Sequence, residues 1–291
     1  VGAGFFSQRM NQLTWNARYM DEVERVLYNN VLTGVSLSGD KYTYQNPLNT
    51  DKPDRWEWHV CPCCPPMFLK IMAAMPGYIY AYQGDNVYVN LFIGSEVRIP
   101  VGDNSVRLKQ LTSYPWHGAV SIQVNPDKAS TFSMKVRIPG WAQGTENPYD
   151  LYQSNLKAPV KLKVNQEDVL LRIVDGYAEI NREWKKGDHI ELELPMQPRL
   201  ITANKAVENL RGQVALASGP IIYCFEDADN PELQTFKLQA QTPLELSHDS
   251  NLLNGVNIIK CQGDIPAKAI PYYAVANREE SHSYKVWIPQ K

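Results

Sequence analysis

The sequence predicts a mainly β protein, in which a short helical segment is followed by two all-β units. Residues 1 to about 32 carry apolar side chains at three- and four-residue steps, which is the spacing of amphipathic helices. After Gly77 the chain changes to short runs of β-branched and aromatic residues separated by turn residues. Several short strands of this kind are typical of β-sandwiches.

The helical segment is interrupted by a loop. Residues 34 to about 61 are rich in Gly, Asp, Asn, Pro and Trp, with one short strand-like piece at 42–44. A further helix is predicted after this loop, because the pair Pro65-Pro66 suits a first helical turn, where the missing N–H costs nothing. Pro76-Gly77 should end that helix.

The strand pattern falls into two sets. In the first, residues 83–86 form a hairpin turn between its first two strands. The strands predicted for this set are 78–82, 87–93, 97–101, 119–124, 131–138, 160–164, 177–180 and 189–194. The second set runs from about 214 to 275, and residues 284–289 form one last strand.

Composition limits the function. The chain has 291 residues, 44% hydrophobic residues and a net charge of −2, so nothing favours nucleic acid as a partner. No apolar run approaches the roughly 20 residues that span a bilayer. The five cysteines are spaced too unevenly for a disulfide framework, and Cys224 and Cys261 are each expected to be buried strand thiols.

The other three cysteines lie in Cys61-Pro62-Cys63-Cys64-Pro65-Pro66. Cys63 and Cys64 should lie at or just before a helix N-terminus, where unpaired N–H groups and the helix dipole favour a thiolate. A thiolate serves either as a nucleophile or as a soft metal ligand. A disulfide between adjacent cysteines needs a strained peptide, so the motif indicates a nucleophile or a metal ligand and not a disulfide crosslink.

At this point the sequence resembles glycoside hydrolase family 127, the β-L-arabinofuranosidases and their relatives. Matching motifs occur in order along nearly the whole chain, and the double cysteine is the most specific of them. They are Glu24-Arg25-Val26-Leu27-Tyr28-Asn29, Tyr42-Thr43-Tyr44-Gln45-Asn46-Pro47-Leu48, the cysteine motif, Arg137-Ile138-Pro139-Gly140-Trp141-Ala142, Gly219-Pro220-Ile221-Ile222-Tyr223-Cys224 and Pro271-Tyr272-Tyr273-Ala274-Val275-Ala276-Asn277-Arg278.

The resemblance implies a domain organisation. Residues 1–80 would be the last helices of an (α/α)6 catalytic barrel, and 81–200 would be a first β-sandwich. Residues 201–280 would form a second β-sandwich, and 281–291 would return to the first one. Sandwich domains in such enzymes sometimes dimerise, so a homodimer is among the expected assemblies.

The resemblance also implies a mechanism, that of a retaining glycosidase whose nucleophile is a cysteine and which holds one zinc ion. Cys63 would be the nucleophile and a zinc ligand, Cys64 a second zinc ligand, and Glu24 and Tyr44 would line the sugar subsite. In this family a Glu-x-Cys segment supplies the other two ligands and another glutamate is the acid/base. Both should precede Val1, so the 291 residues are expected to be an inactive C-terminal part of a carbohydrate-binding enzyme.

Other interpretations of these residues remain open. His59 and Cys61 could join Cys63 and Cys64 in a local metal cluster, or Cys61 could be a loop thiol. Glu24 could be an exposed helix glutamate in an ion pair, and Tyr44 a half-buried strand tyrosine. Of the tryptophans, Trp56 and Trp58 are the better candidates for sugar contacts. As a whole, the chain could also be a non-catalytic carbohydrate-binding or structural protein, or a zinc or redox protein.

Overall fold

The computed structural model describes residues 1–58, 60–61, 63–147, 150–263 and 265–291. The prediction of a mainly β protein with helices at its start is confirmed. The helices are α1 (Gly2–Thr14), α2 (Arg18–Val26), α3 (Cys64–Ala74) and α4 (Pro76–Ile79). A π-helical turn at Leu27–Val31 and a 3₁₀ turn at Leu32–Gly34 extend α2. Among the described residues, no helix has both the length and the apolar character needed to cross a membrane.

A first β unit is a sandwich of two sheets. One sheet has the strand order β11-β12-β7-β3-β2 and the other has the order β10-β9-β13-β6-β5-β4. Their bounds are β2 (Tyr80–Gln83), β3 (Asn86–Val89), β4 (Ser95–Val101), β5 (Asn104–Thr112), β6 (Ala119–Pro126), β7 (Ser130–Arg137), β9 (Lys161–Val164), β10 (Glu167–Asp168), β11 (Ile173–Val174), β12 (Tyr177–Trp184) and β13 (Asp188–Glu193).

Side chains alternate between the two faces of each strand, and the inward set forms one core. Val106, Ile122, Met134 and Trp184 are fully buried between the sheets. The strand β5 was missing from the prediction, although its burial alternates along most of its length.

A second β unit is built on one ten-stranded sheet. Its main strand order is β17-β18-β19-β16-β15-β14-β8, with β20 and β21 attached to β16 and β15 and with β1 attached to β20. The bounds are β1 (Asn49–Thr50), β8 (Tyr152–Ser154), β14 (Arg199–Ala203), β15 (Gln213–Ser218), β16 (Ile221–Glu226), β17 (Leu244–Asp249), β18 (Val256–Cys261), β19 (Ala267–Pro271), β20 (Tyr284–Lys285) and β21 (Ile288–Pro289).

The prediction that residues 281–291 return to the first sandwich is wrong. β20 pairs with β16, with Phe225 opposite Lys285, and β21 pairs with β15, with Val214 opposite Ile288. Both partners belong to the second unit, whose core also takes in Ile288. Ladder hydrogen bonds between residues 60 and 74 positions apart leave no local pattern, so the sequence could not show these partners.

Three further differences concern local structure. Residues 272–274 form a 3₁₀ turn, Tyr272–Ala274, where a strand end was predicted. Tyr78 and Ile79 belong to α4, so Pro76 begins a short helix immediately after the end of α3. β8 lies within the stretch predicted as the first sandwich, yet it pairs with β14 of the second unit.

The helical segment covers the outer face of the five-stranded sheet. In β3, Val87 and Val89 face the sandwich core, whereas Tyr88 packs with Ala17 and Tyr177 on the helix side. The contact is close at Gly176, whose φ is +81°, because a Cβ there would lie 2.6 Å from the Ala17 side chain. The architecture is therefore three layers here: helices, five-stranded sheet, six-stranded sheet.

Candidate active site

The cysteine turn, defined here as Cys61, Cys63 and Cys64, lies at the start of α3, as predicted. Cys63 is the N-cap residue, and α3 begins at Cys64 with proline in its first turn. The Cys63 N–H donates to the Cys61 carbonyl at 2.9 Å, which turns the chain into the helix. Cys61 and Cys63 are exposed and Cys64 is partly exposed, so these thiols are open to reagents and ligands.

The separation of two sulfur atoms tests whether this turn suits zinc. The Sγ atoms of Cys63 and Cys64 lie 3.8 Å apart. Two sulfurs at about 2.3 Å from one tetrahedral zinc ion would be about 3.8 Å apart, so the pair fits two positions of such a site. No group of three or more His, Cys, Asp or Glu side chains that could hold a metal occurs among the described residues. His59 of the alternative cluster lies outside them.

Tyr44 is brought to the cysteine turn by the loop that precedes it. Its ring is 43% exposed, and its hydroxyl interacts with the Cys63 thiol. Negative charge on Cys63, and then on Cys61 and Cys64, raises the pKa of Tyr44 above its ordinary value. The hydroxyl therefore stays protonated and able to donate a hydrogen bond beside the thiols.

An aromatic pair forms the wall next to the cysteine turn. The rings of Tyr44 and Trp56 stack with centroids 6.3 Å apart and an interplanar angle of 14°. Backbone hydrogen bonds of 2.8 Å in both directions join Tyr42 to Trp56, and the Trp56 indole N–H donates to Asp54. A narrow crevice of about 10 Å³ lies between this wall and the turn, and the exposed Trp58 lines it.

Arg55 fixes this loop to the rest of the protein. Its Nε and Nη2 donate to the Val275 carbonyl at 3.1 and 2.8 Å, and its Nη1 donates to the Thr33 carbonyl at 3.0 Å. Burial lowers the pKa of Arg55 to about 10. The prediction did not include Arg55, and a single arginine in a polar loop carries no signal that its partners are two distant carbonyls.

Glu24 lies on α2 in a buried ion-pair cluster, and its place in the sugar subsite stays a prediction made from the resemblance. Only 1% of the residue is exposed, so the alternative of an exposed glutamate is wrong. Its carboxylate accepts bonds from Arg137 at 2.5 Å, the Tyr114 hydroxyl at 2.7 Å and the Trp141 indole at 3.3 Å. Within the part of the chain that the structure describes, both carboxylate oxygens of Glu24 are enclosed and hydrogen-bonded.

The partner of Glu24 is Arg137, which the prediction from the sequence did not include. Arg137 lies on the outer face of β7, is 0% exposed and bonds the Asn90 carbonyl at 2.5 Å and Asp21 at 2.6 Å. Although burial lowers the pKa of Arg137, the carboxylates of Glu24 and Asp21 outweigh it and hold that pKa above its usual value. We call Asp21, Glu24, Arg137, Tyr114 and Trp141 the Arg137 cluster.

Cys224 and Cys261 take no part in the site. Both are buried in strands of the second unit, as predicted, and burial raises the pKa of Cys261 to about 12. Burial likewise raises the pKa of Cys224 well above its ordinary value, with Glu226 adding to the effect.

Three domains of one enzyme family match the chain in succession. They are described as the GH127 catalytic domain of β-L-arabinofuranosidase (residues 1–77), its GH127 middle domain (86–196) and the glycoside hydrolase family 127 C-terminal domain (198–289). Together they span nearly all of the sequence. The chain belongs to glycoside hydrolase family 127.

The sequence is similar to a non-reducing end β-L-arabinofuranosidase of Bifidobacterium longum subsp. longum, with 29% identity over an alignment of 329 residues. The alignment covers 96% of this chain and 46% of that protein.

Two solved structures are similar in fold. A GH127 β-arabinofuranosidase superposes with a TM-score of 0.93 at 34% identity, over 100% of this chain and 48% of its own. A GH127 β-L-arabinofuranosidase from Geobacillus stearothermophilus T6 gives a TM-score of 0.90 at 34% identity, over 99% of this chain and 49% of its own. The chain thus spans about half the length of these relatives.

Proposed function

We propose that the chain is the cysteine-bearing part of a retaining glycoside hydrolase that releases β-L-arabinofuranose-type sugars from non-reducing ends, with Cys63 as the nucleophile. The observation that carries the proposal is the open cysteine turn at the start of α3, with Tyr44 against its thiol. Family membership supports the class of reaction, and the names of the similar proteins support the sugar.

The reaction follows from an exposed thiolate at the start of a helix. The Cys63 thiolate attacks the anomeric carbon, and the glycosidic oxygen leaves as it receives a proton from a carboxylic acid. Water, deprotonated by the same carboxylate, then displaces the sulfur and regenerates the thiolate. Two successive inversions retain the configuration of the sugar. The resemblance assigns the acid/base glutamate to sequence that these 291 residues do not include.

Each residue near the thiol has a part in this scheme. Cys63 and Cys64 would hold zinc, which supplies a positive charge that keeps bound thiols deprotonated. The remaining two ligands belong to the Glu-x-Cys segment implied by the resemblance. Tyr44 keeps its proton and can donate to a sugar hydroxyl or to the sulfur. Arg55 holds Trp56 and Tyr44 in place through the backbone of the second unit.

The test is hydrolysis of an aryl β-L-arabinofuranoside by the full-length protein and by its Cys63→Ser variant. Loss of the nucleophile should lower kcat by roughly a thousandfold or more. A Cys61→Ser variant is the matched control, and it should keep most of the activity. Cleavage at wild-type rate by Cys63→Ser would refute the proposed nucleophile, and absence of activity in the wild type would favour a carbohydrate-binding protein.

Two measurements on the 291-residue chain alone complete the test. We expect no hydrolysis, since the acid/base would be missing, and no stoichiometric zinc, since only two ligands would be present. Detectable turnover would contradict the first expectation. One bound zinc per chain would support the alternative, in which Cys61, Cys63, Cys64 and His59 form a metal site by themselves.

A further inference from the structure

An open cleft of about 560 Å³ lies where the two β units meet. Its lining includes Trp116 and His117 from the turn between β5 and β6, Glu193 at the end of β13, and Ser247 and His248 of β17. We call it the junction cleft. Among the described residues, none lines both this cleft and the crevice at the cysteine turn. Its volume lies within the range of sites for small ligands, which are common at domain boundaries.

We propose that the junction cleft binds a neutral carbohydrate chain, as a second site separate from the cysteine turn. The class of ligand follows from the residues of the cleft. The choice of an arabinose polymer as the carbohydrate rests on the proposed function, because a hydrolase that removes terminal sugars meets them as parts of a longer chain.

One acceptor of the cleft is oriented by its neighbours. Asn257 on β18 donates from Nδ2 to the Trp116 carbonyl at 3.1 Å, and its Oδ1 lies 3.0 Å from Nδ1 of His248. Because a carbonyl only accepts, the amide nitrogen must face Trp116, and the amide oxygen then takes a proton from Nδ1 of His248. Nε2 of neutral His248 is therefore an acceptor, and it has no partner among the described residues.

Three more polar side chains of the cleft lack a hydrogen-bond partner among the residues that the structure describes. They are the Glu193 carboxylate, the His117 imidazole and the Ser247 hydroxyl. The Ser247 oxygen is buried, and a buried hydroxyl without a partner costs free energy that a ligand hydroxyl recovers. A carboxylate accepts and a serine hydroxyl both donates and accepts, so these groups match the hydroxyl groups of a sugar.

The charge of the cleft selects against anions. Glu193 is the acidic residue of the described lining, and no lysine or arginine accompanies it there. The histidines and Glu193 do not form a metal-binding group within the described part of the chain. The Trp116 indole adds an apolar face. A neutral ligand with many hydroxyl groups and an apolar face fits this lining, and carbohydrates have that chemistry.

The walls of the cleft are fixed before binding. The Leu194 N–H donates to the Gly118 carbonyl at 3.0 Å, and the Ser218 hydroxyl donates to the Met196 carbonyl at 2.7 Å. Gly118 tolerates no side chain, because a Cβ there would lie 1.9 Å from the Leu194 carbonyl oxygen. These contacts join the two β units beside the cleft, and a site with fixed walls loses little conformational freedom when a ligand enters.

A shallow groove of about 600 Å³ continues from the junction cleft over the six-stranded sheet. His117 and Ala119 line both of them. The charged residues of the groove, Glu96 and Lys109, have opposite signs, so the groove also suits a neutral ligand. Because the cleft and the groove adjoin, neighbouring rings of one chain can occupy both, which favours an oligosaccharide or polysaccharide over a single sugar.

The experiment measures retention on a polysaccharide. The full-length protein with Cys63→Ser, which should not hydrolyse the polymer, is run in native gels with increasing amounts of a plant arabinan, a neutral polymer of L-arabinofuranose. We expect retardation, and we expect the Kd to rise about fivefold to tenfold when His248→Ala or Glu193→Ala is added, since each removes one hydrogen bond to the sugar. Both side chains are exposed, so these variants should fold.

Glu191→Ala is the matched control, because Glu191 is exposed on the same strand, β13, and does not line the cleft. It should leave the Kd unchanged. No retardation of the parent protein, or an unchanged Kd in both cleft variants, would overturn the proposal. Equal retardation by polygalacturonate, an anionic polymer, would also overturn it, since the cleft offers no cation to an anion.

A separate assay keeps the two proposals apart. With Cys63 intact, His248→Ala should leave kcat/KM for the aryl β-L-arabinofuranoside unchanged, and a fall equal to the loss of arabinan binding would show that the cleft is not a separate site. If the wild type does not hydrolyse the aryl glycoside but the cleft variants still weaken arabinan binding, the proposed function fails and the junction cleft stands.

Discussion

The cysteine turn and the Arg137 cluster are two groups of polar side chains next to helices, and they differ in their exposure to solvent and in their bonding partners. The thiols of Cys61 and Cys63 are exposed, with Tyr44 beside them. Arg137 and Glu24 are enclosed between α2 and the five-stranded sheet, and each of their polar groups has a partner.

This difference separates side chains that can bind a ligand or react from side chains that stabilise the fold. Groups left open to solvent can exchange partners with a ligand, whereas a buried and fully bonded pair can only lose stability when it is changed. Glu24 and Tyr44 illustrate the point, because the resemblance assigned both to the sugar subsite. The structure places Tyr44 beside the thiols and Glu24 in the Arg137 cluster, and a sugar-subsite role stays a prediction for both residues.

The largest effect should be seen in thiol alkylation. With zinc removed by chelation, Cys61, Cys63 and Cys64 should react with iodoacetamide at neutral pH roughly a thousandfold faster than Cys224 and Cys261. The buried pair reacts only when the structure opens, which costs several kcal/mol. Peptide mass spectrometry follows each site, and all five should react alike in denaturant. Equal alkylation rates for the exposed and the buried cysteines in the folded protein would refute the predicted difference.

The next largest effect should come from Arg137→Met. It leaves the carboxylates of Glu24 and Asp21 buried without a cation, so the free energy of unfolding should fall by about 3–5 kcal/mol. Denaturant titration measures it. Arg98→Met is the matched control, because the Arg98–Asp127 ion pair is exposed and screened by solvent and should change the free energy of unfolding far less. Similar losses in the two variants would show that burial is not what distinguishes them.

A smaller effect concerns Asp229, which lies in a second buried ion-pair group. Burial opposes ionisation, but hydrogen bonds from Arg278 and Lys268 outweigh it and hold the pKa of Asp229 below its usual value. The stabilisation is present above the unfolded pKa of about 3.9 and is lost as the pH falls through the folded value. Asp229→Asn should therefore cost about 1.5–3 kcal/mol at pH 6.

The cost of Asp229→Asn should shrink as the pH is lowered below about 4, because the unfolded wild-type chain then binds a proton at this carboxyl before the folded protein does. Unfolding titrations of both proteins at pH 6 and pH 3 measure the change. A cost that grows on acidification would contradict the assigned direction of the pKa.

The smallest effect should be that of Cys63→Ser on stability. The thiol is exposed and makes no capping hydrogen bond to the helix, so the free energy of unfolding should change by about 0.5 kcal/mol or less. The same substitution is expected to abolish hydrolysis in the full-length enzyme. A loss of several kcal/mol would mean that the cysteine turn, like the Arg137 cluster, is part of the folded core.

Features that depend on residues close together in the chain could be predicted from the sequence. The cysteine turn at a helix start follows from two prolines that suit a first helical turn. Most strands of the first sandwich follow from short runs of β-branched and aromatic residues between turn residues. Cys224 and Cys261 are buried because they sit in apolar strands.

Contacts between residues far apart in the sequence became visible only in the tertiary structure. The strand pattern predicts that Arg137 faces outward from β7. In the structure α2 covers that face and supplies Glu24 as the partner of Arg137. The partner of the last strand, the attachment of β8 and the anchoring of Arg55 on Val275 likewise join segments far apart in the sequence. Such contacts form wherever the packed layers bring donors and acceptors together, and no local pattern encodes them.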